Sequence, residues 1–269
     1  MTESSFQAIG YSVCDGVASI TLNRPARKNA IDMVMRAELA QVIGAIRADR
    51  GIRTLILGGA GKDFCAGGDI STMQDGAGSA EAARNRMADV HLWLEQLLTL
   101  DKPVIAAVAG VAYGAGAGLA LAADFILAAP SARFCMSFMR MGLVPDCGIF
   151  HTLPRVVGLQ RAKELIFSAR EFGAEEARGM GLVFEILPEP QLLARAQELA
   201  RSLGQASPAA LSLAKRALNA SPTSDLRTML EMEACAQGIA RSTDYHQDAT
   251  ERFLNKTPLA YSWPGARRE

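Results

Sequence analysis

The chain has no surplus of charge of either sign. Lys and Arg together number 28, as do Asp and Glu, so no overall field draws it to nucleic acid or to an anionic membrane, and an anionic ligand must be held by a local site. It also lacks paired cysteine spacing. Cys14, Cys65, Cys135, Cys147 and Cys235 are scattered, odd in number and free of any C-x-x-C, which argues against a zinc site or a redox motif and leaves no metal expected. They read as reduced thiols of a cytoplasmic protein. The opening MTESSFQAIG has no basic segment ahead of an apolar core, so a secretory signal is not expected. Nor is there an unbroken apolar run of membrane length. Val104 to Ala129 comes nearest, but Gly110, Gly114, Gly116 and Gly118 interrupt it and Asp124 lies near its end, which fits a buried strand, a turn and a buried helix better than a membrane span. No fixed-period repeat and no long low-complexity linker is found. What is present, 269 residues at 49% hydrophobic, suffices for a sizeable core in one large domain or in a main domain with a smaller terminal lobe.

Two short alternating segments, Ala8 to Val13 and Val17 to Leu22, flank Asp15-Gly16, a pair that favours a hairpin turn. Asp32 to Ile46 carries Met33, Leu39, Val42, Ile43 and Ile46 at helical spacing, and Thr54 to Leu57 is a brief strand. Strand, helix and strand recur at Val104 to Val108, Gly116 to Ala123 and Phe125 to Ala128, which predicts an α/β fold with a largely parallel sheet. Residues 76–100 read as a variable, loop-like segment, with the Gly- and Ala-rich part from Gly76 to Ala83 a mobile loop able to cover a ligand. After Pro188 the segments Gln191 to Leu203, Pro208 to Leu218, Ser224 to Ala240 and Asp244 to Leu254 all read as helices. The expected division is residues 1–188 as an α/β core and 189–269 as a helical C-terminal lobe.

Two glycine-rich stretches have chemical interest. Lys62 to Ile70, with Ala66, Gly67, Gly68 and Asp69, follows a strand; small residues let the backbone approach a ligand and aim an N–H at a developing negative oxygen, though a turn capped by Asp69 at a helix start has the same look. Gly110 to Gly118, with Gly114 and Ala115 at its centre, lies between a strand and an apolar helix, whose N-terminus offers unpaired donors. It has no Lys-Ser/Thr ending, so it is not a P-loop, and no suitably spaced acidic strand follows, which makes it a poor dinucleotide fingerprint.

Together and in this order the two stretches resemble the crotonase, or enoyl-CoA hydratase/isomerase, superfamily, over nearly the whole chain. Leu22-Asn23-Arg24-Pro25 with Lys28-Asn29-Ala30 resembles its early CoA-binding turn, Phe64 to Ile70 its first oxyanion-hole segment, and Lys102 to Val108 leading to Gly114-Ala115-Gly116 its second. The resemblance implies a ββα spiral core, an acyl-CoA thioester as ligand, coenzyme A entering as part of the substrate with no separate cofactor, and a homo-oligomer, a trimer or a dimer of trimers. It assigns the oxyanion hole to the N–H groups of Ala66 and Ala115. It places Arg24, Lys28, Ala66, Gly68, Asp69, Ile70, Gly114 and Phe138 around the substrate, with Phe253 and Lys256 reaching a CoA held mainly by a neighbouring subunit.

The positions matching the two glutamates of typical hydratases are Gly118 and Phe138, neither able to transfer a proton. The chain offers instead Asp146, eight residues beyond Phe138, where isomerase branches carry a proton-shuttling aspartate. The run from Ser137 to Gly158 most resembles the ring-1,2-epoxyphenylacetyl-CoA isomerase type. Apolar neighbours would raise the Asp146 pKa and suit it to take and return a proton, whereas Pro-Asp ahead of a helix is also a common start signal. Alternatives are an enoyl-CoA hydratase, a 4-chlorobenzoyl-CoA dehalogenase-like enzyme, for which His91 and Asp146 match and Phe138 stands in the Trp position, and a non-catalytic acyl-CoA-binding homologue.

Overall fold

The computed structural model describes residues 6–73 and 79–265. It opens with a hairpin of β1 (Ile9–Cys14) and β2 (Val17–Leu22). Asp15 and Gly16 both take positive φ, 51° and 75°, the backbone hand that matches strand twist in a two-residue turn. In α1 (Met33–Ala48) the Asp32 carboxylate accepts the Met35 N–H at 2.9 Å and starts the helix, while Met35, Leu39, Val42, Ile43 and Ile46 form its buried stripe.

After β3 (Thr54–Gly59) the structure departs from the expected loop. Ala80 to Leu98 is one helix, α2, started by the Ser79 hydroxyl and buried through Val90, Trp93, Leu94 and Leu97. Their spacing of three, one and three is a helical stripe that the Ala- and Gly-rich approach hides. Gly76, Ala77 and Gly78 lie outside the described residues.

The chain continues through β4 (Val104–Val108), β5 (Val111–Tyr113), α3 (Ala115–Leu121), β6 (Phe125–Ala128) and β7 (Arg133–Cys135). Then come α4 (Ile149–Val157), α5 (Leu159–Ser168), β8 (Glu171–Gly173), α6 (Ala174–Gly179), β9 (Glu185–Ile186), α7 (Glu189–Gly204), α8 (Pro208–Ala220), α9 (Leu226–Arg241) and α10 (Asp244–Leu254).

The larger sheet has the order β1-β2-β3-β4-β6-β9, antiparallel at the hairpin and parallel beyond it; the smaller has β5-β7-β8. Isolated parallel bridges join Ile31 to Gly68 and Cys65 to Ala112, and β5 pairs in parallel with β7. Each turn of chain thus lays one strand in the large sheet and a short extended piece on the next turn. This is the spiral α/β core the resemblance implies.

Alternation along the strands divides the interior. Leu55, Leu57, Val104, Ala106, Val108 and Ile126 face the main core under α1, α2 and α3. Ile56, Ile105, Ala107 and Leu127 face the other side, where Leu192, Ala196, Leu199 and Leu203 of α7 cover them. α8 is tied back by Lys215, which reaches Asp124 at 2.6 Å. None of α8, α9 or α10 buries a side chain fully, and Leu226, Leu230, Ile239, Phe253 and Leu254 are exposed on the last two.

Candidate active site

Main-chain pairing fixes the first glycine segment. Cys65 donates its N–H to Val111 O and accepts from Tyr113 N–H, at 2.8 and 2.9 Å, while the Gly67 carbonyl accepts from Ile31 and the Asp69 N–H donates to the Ile31 carbonyl. The Ala66 N–H is committed as well, to the Lys28 carbonyl at 2.9 Å. That corrects the assignment of Ala66 as an oxyanion donor: an N–H already satisfied by a backbone carbonyl gives it up only at a cost of about 1–3 kcal/mol. Gly68, one place beyond Gly67, donates to no acceptor among the described residues. Gly68 lines the cleft. Gly67 has φ of 100°, and a Cβ there would stand 2.8 Å from the Tyr113 carbonyl, so only glycine lets the two segments come this close.

The early turn braces this arrangement rather than presenting charge to a ligand. Asn29 is fully buried; its amide donates to the Ala60 and Asp63 carbonyls at 2.9 and 2.6 Å and its oxygen accepts the Arg24 N–H. The Arg24 guanidinium pairs with Asp32 at 3.2 Å and Asp69 at 2.9 Å and donates to the Ala30 carbonyl. Asp69 also accepts from the Ser71 N–H and hydroxyl at 3.2 and 2.7 Å. These bonds, the Ser71 hydroxyl foremost and then Arg24, hold its carboxyl below the usual range. It therefore caps the short turn at Ile70–Met73. Lys28, with positive φ, is exposed.

The second segment ends at Gly114, whose φ of 50° and ψ of −121° turn the chain from β5 into α3. Ala115 is the first helical residue, and its N–H, like that of Gly68, has no acceptor among the described residues. Gly68 and Ala115 line the same cleft. Cys65 lies beneath, where a Cβ on Gly116 would overlap its carbonyl; its sulfur accepts the Gly67 N–H at 3.4 Å, and burial pushes its thiol up to about 12.

The cleft is partly open to solvent. Asp146 lines the same cleft as the two donors and is the one carboxylate among the described lining residues. Its Oδ1 is buried without a hydrogen-bond partner. Burial pushes its carboxyl up, and the neighbouring Cys147 thiol and the charges of Arg36 and His91 pull it part of the way back. It is not a helix cap: α4 begins at Ile149 behind Gly148, and Asp146 serves it only by accepting the Ile149 N–H through its backbone carbonyl. Phe138 is buried against Gly114.

Ile70, Gly114 and Phe138 line the cleft as expected; Phe253 and Lys256, expected at a neighbour's CoA, are exposed at the end of α10. His91 is exposed on α2 and is not a lining residue, though its charge acts on the Asp146 carboxyl. Sequence reasoning missed Gly68 as a donor, Arg36 as a polar wall residue, and Met87, Val90 and Trp93 as the apolar wall. The α2 stripe was the available signal for the last three. Arg36 had none. Among the described residues no group of three His, Cys, Asp or Glu is placed to hold a metal ion, and no helix is long and apolar enough to cross a membrane.

A family model described as enoyl-CoA hydratase/isomerase matches residues 13–263. The 1,2-epoxyphenylacetyl-CoA isomerase of Escherichia coli K12 is 39% identical over 246 residues, 90% of this chain and 94% of that protein. A short-chain-enoyl-CoA hydratase of Clostridium acetobutylicum is 36% identical over 244 residues, 90% of this chain and 93% of its own. The crystal structure of an enoyl-CoA hydratase/isomerase from Cupriavidus metallidurans CH34 superposes with a TM-score of 0.93 at 43% identity, covering 99% of both chains. With its spiral core and its paired backbone donors, the chain belongs to the enoyl-CoA hydratase/isomerase family, the crotonase superfamily.

Proposed function

We propose that the protein is an acyl-CoA isomerase that moves a carbon–carbon double bond through a thioester enolate. The observation that carries this reading is Asp146, the single carboxylate among the described residues lining the cleft, with Gly118 and Phe138 at the two positions where typical hydratases carry glutamates. Syn hydration uses two carboxylates, one to orient water and one to deliver a proton; a double-bond shift needs one group that takes a proton and returns it. Ionised Asp146 removes the α-proton of a β,γ-unsaturated thioester. The C–H electron pair moves toward the thioester oxygen, where the Gly68 and Ala115 N–H groups meet the developing charge, each worth several kcal/mol in a water-poor site, of order 3 kcal/mol by analogy with other oxyanion donors. The same carboxyl then returns the proton at the γ-carbon, giving the conjugated ester. No atom is gained or lost, and coenzyme A takes part only as the body of the substrate.

The name of the Escherichia coli relative supports an isomerase, while that of the Clostridium relative keeps hydration as the competing reading. Conversion of β,γ-hexenoyl-CoA to its conjugated isomer, followed as a gain of conjugated-thioester absorbance, tests the proposal; crotonyl-CoA hydration, followed as its loss, tests the rival. Rapid hydration with no isomerisation overturns the isomerase reading.

The assembly proposed is a homo-oligomer, a trimer or a dimer of trimers, in which Phe253 and Lys256 serve a neighbour's CoA. The exposed apolar residues of α9 and α10 support it. Light scattering on the intact chain tests it, and a monomer at assay concentration would refute it.

A further inference from the structure

Arg36 is out of keeping with the wall it belongs to. It lies on α1 beside the buried stripe, half-buried, and lines the cleft together with Met87, Val90 and Trp93 of α2 and with Asp146 and Cys147. This is the side of the cleft that holds the proposed proton shuttle, and hence the acyl group. A guanidinium in such a place costs desolvation that an acceptor normally offsets. The carboxylates nearest in sequence are already engaged. Asp32 pairs with Arg24 and caps α1, and Glu38 accepts the N–H groups of Gln7, Ala8 and Ile9. Asp146 shares the cleft and feels the Arg36 charge but forms no ion pair with it within 4.0 Å, and among the described residues the guanidinium meets Met33 Sδ at 4.0 Å. Among the described residues, then, Arg36 has no carboxylate partner. Its five N–H donors form a rigid fork suited to oxygen acceptors.

We infer that Arg36 is a specificity-determining residue that receives an oxygen carried by the acyl group, so that oxygen-bearing acyl-CoA esters are bound in preference to plain ones. The inference rests on reading this cleft as the acyl-CoA site, and it goes beyond that reading by naming the substituent. The shared chemistry is an acceptor oxygen, which a neutral hydroxyl or ring oxygen and a carboxylate both supply.

Equilibrium binding of unreactive CoA esters tests this without relying on turnover. Two pairs differ at the acyl end by an oxygen function: phenylacetyl-CoA against its ring-hydroxylated form, and hexanoyl-CoA against adipyl-CoA. The wild-type protein should bind the oxygenated member of at least one pair about tenfold or more tightly, and the pair that shows it identifies a neutral or an anionic acceptor. Arg36→Met should erase that preference while leaving affinity for the apolar members within about threefold, which also shows that the variant is folded. Arg36→Lys should keep part of the preference if the acceptor is anionic and little of it if neutral. Equal affinities within both pairs for the wild type, or an equal loss across all four esters in Arg36→Met, would overturn the inference. Binding of no CoA ester at all would instead remove the reading of the site, and a preserved oxygen preference without isomerisation would remove only the proposed reaction.

Discussion

A Cβ at Gly118 would stand 2.6 Å from the Cβ of Cys147 and 2.8 Å from its carbonyl oxygen. The loop that carries Asp146 therefore occupies the volume a side chain at position 118 would need. A side chain at position 118 and the Asp146 loop in its present place exclude one another.

Gly118→Ala should cost about 1–3 kcal/mol in urea unfolding, the usual price of overpacking a tight contact. Adding Cys147→Gly should recover part of the loss, since residue 147 has φ of 49° and glycine takes that conformation freely. Gly118→Glu should confer no crotonyl-CoA hydration. A stable Gly118→Ala protein with wild-type activity would show that the loop yields easily.

Asp146→Asn should lower isomerisation by about 10²–10⁴-fold with CoA-ester affinity nearly unchanged, as measured by steady-state turnover and direct binding. In the wild type, kcat/KM should rise with pH through an apparent pKa above the ordinary Asp value of about 3.9, because burial raises the carboxyl and only its ionised form accepts the proton. An unaltered rate in Asp146→Asn would remove the residue from the mechanism.

The same substitution should stabilise the fold at alkaline pH. A carboxyl whose folded pKa is raised contributes most favourably below its unfolded pKa, and that contribution is lost as pH rises through the folded pKa. Asn does not ionise. The variant should melt above the wild type at pH 8, and the gap should close toward pH 4 and below. A wild type that is the more stable of the two at pH 8 would contradict the burial argument.

Asn29→Ala should destabilise the protein by about 2–4 kcal/mol, since it strands the Arg24 N–H and the Ala60 and Asp63 carbonyls in a buried turn. Because the Lys28 carbonyl within this turn holds Ala66, kcat should fall more than CoA-ester affinity. A change in stability alone would mean that the turn does not orient the donors.

Much of the fold is legible in local sequence. The Asp15-Gly16 turn, the stripe of α1, the strand at Val104–Val108 and the four late helices follow from short-range chemistry. The site is less so. Asp146 is visible because a family pattern points to it, but the choice between Ala66 and Gly68 as donor depends on which N–H the Lys28 carbonyl takes, a contact 38 positions away in the chain that no pattern within residues 62–70 reveals. Arg36 is hidden for the same reason: on a helix wheel it is a flanking cation, and only the approach of α2 and the Asp146 loop turns that flank into a wall.

The donors at Gly68 and Ala115 are main-chain atoms, and this governs how the protein can change. No side-chain replacement at those two positions deletes an N–H, short of proline. The vulnerable positions are their neighbours, Gly67 and Gly114, whose positive φ aims the donors. Under the proposed mechanism, the acids and bases around the cleft can be exchanged while the donor pair is inherited with the backbone itself, and the pair is lost most readily to a methyl group in the wrong place.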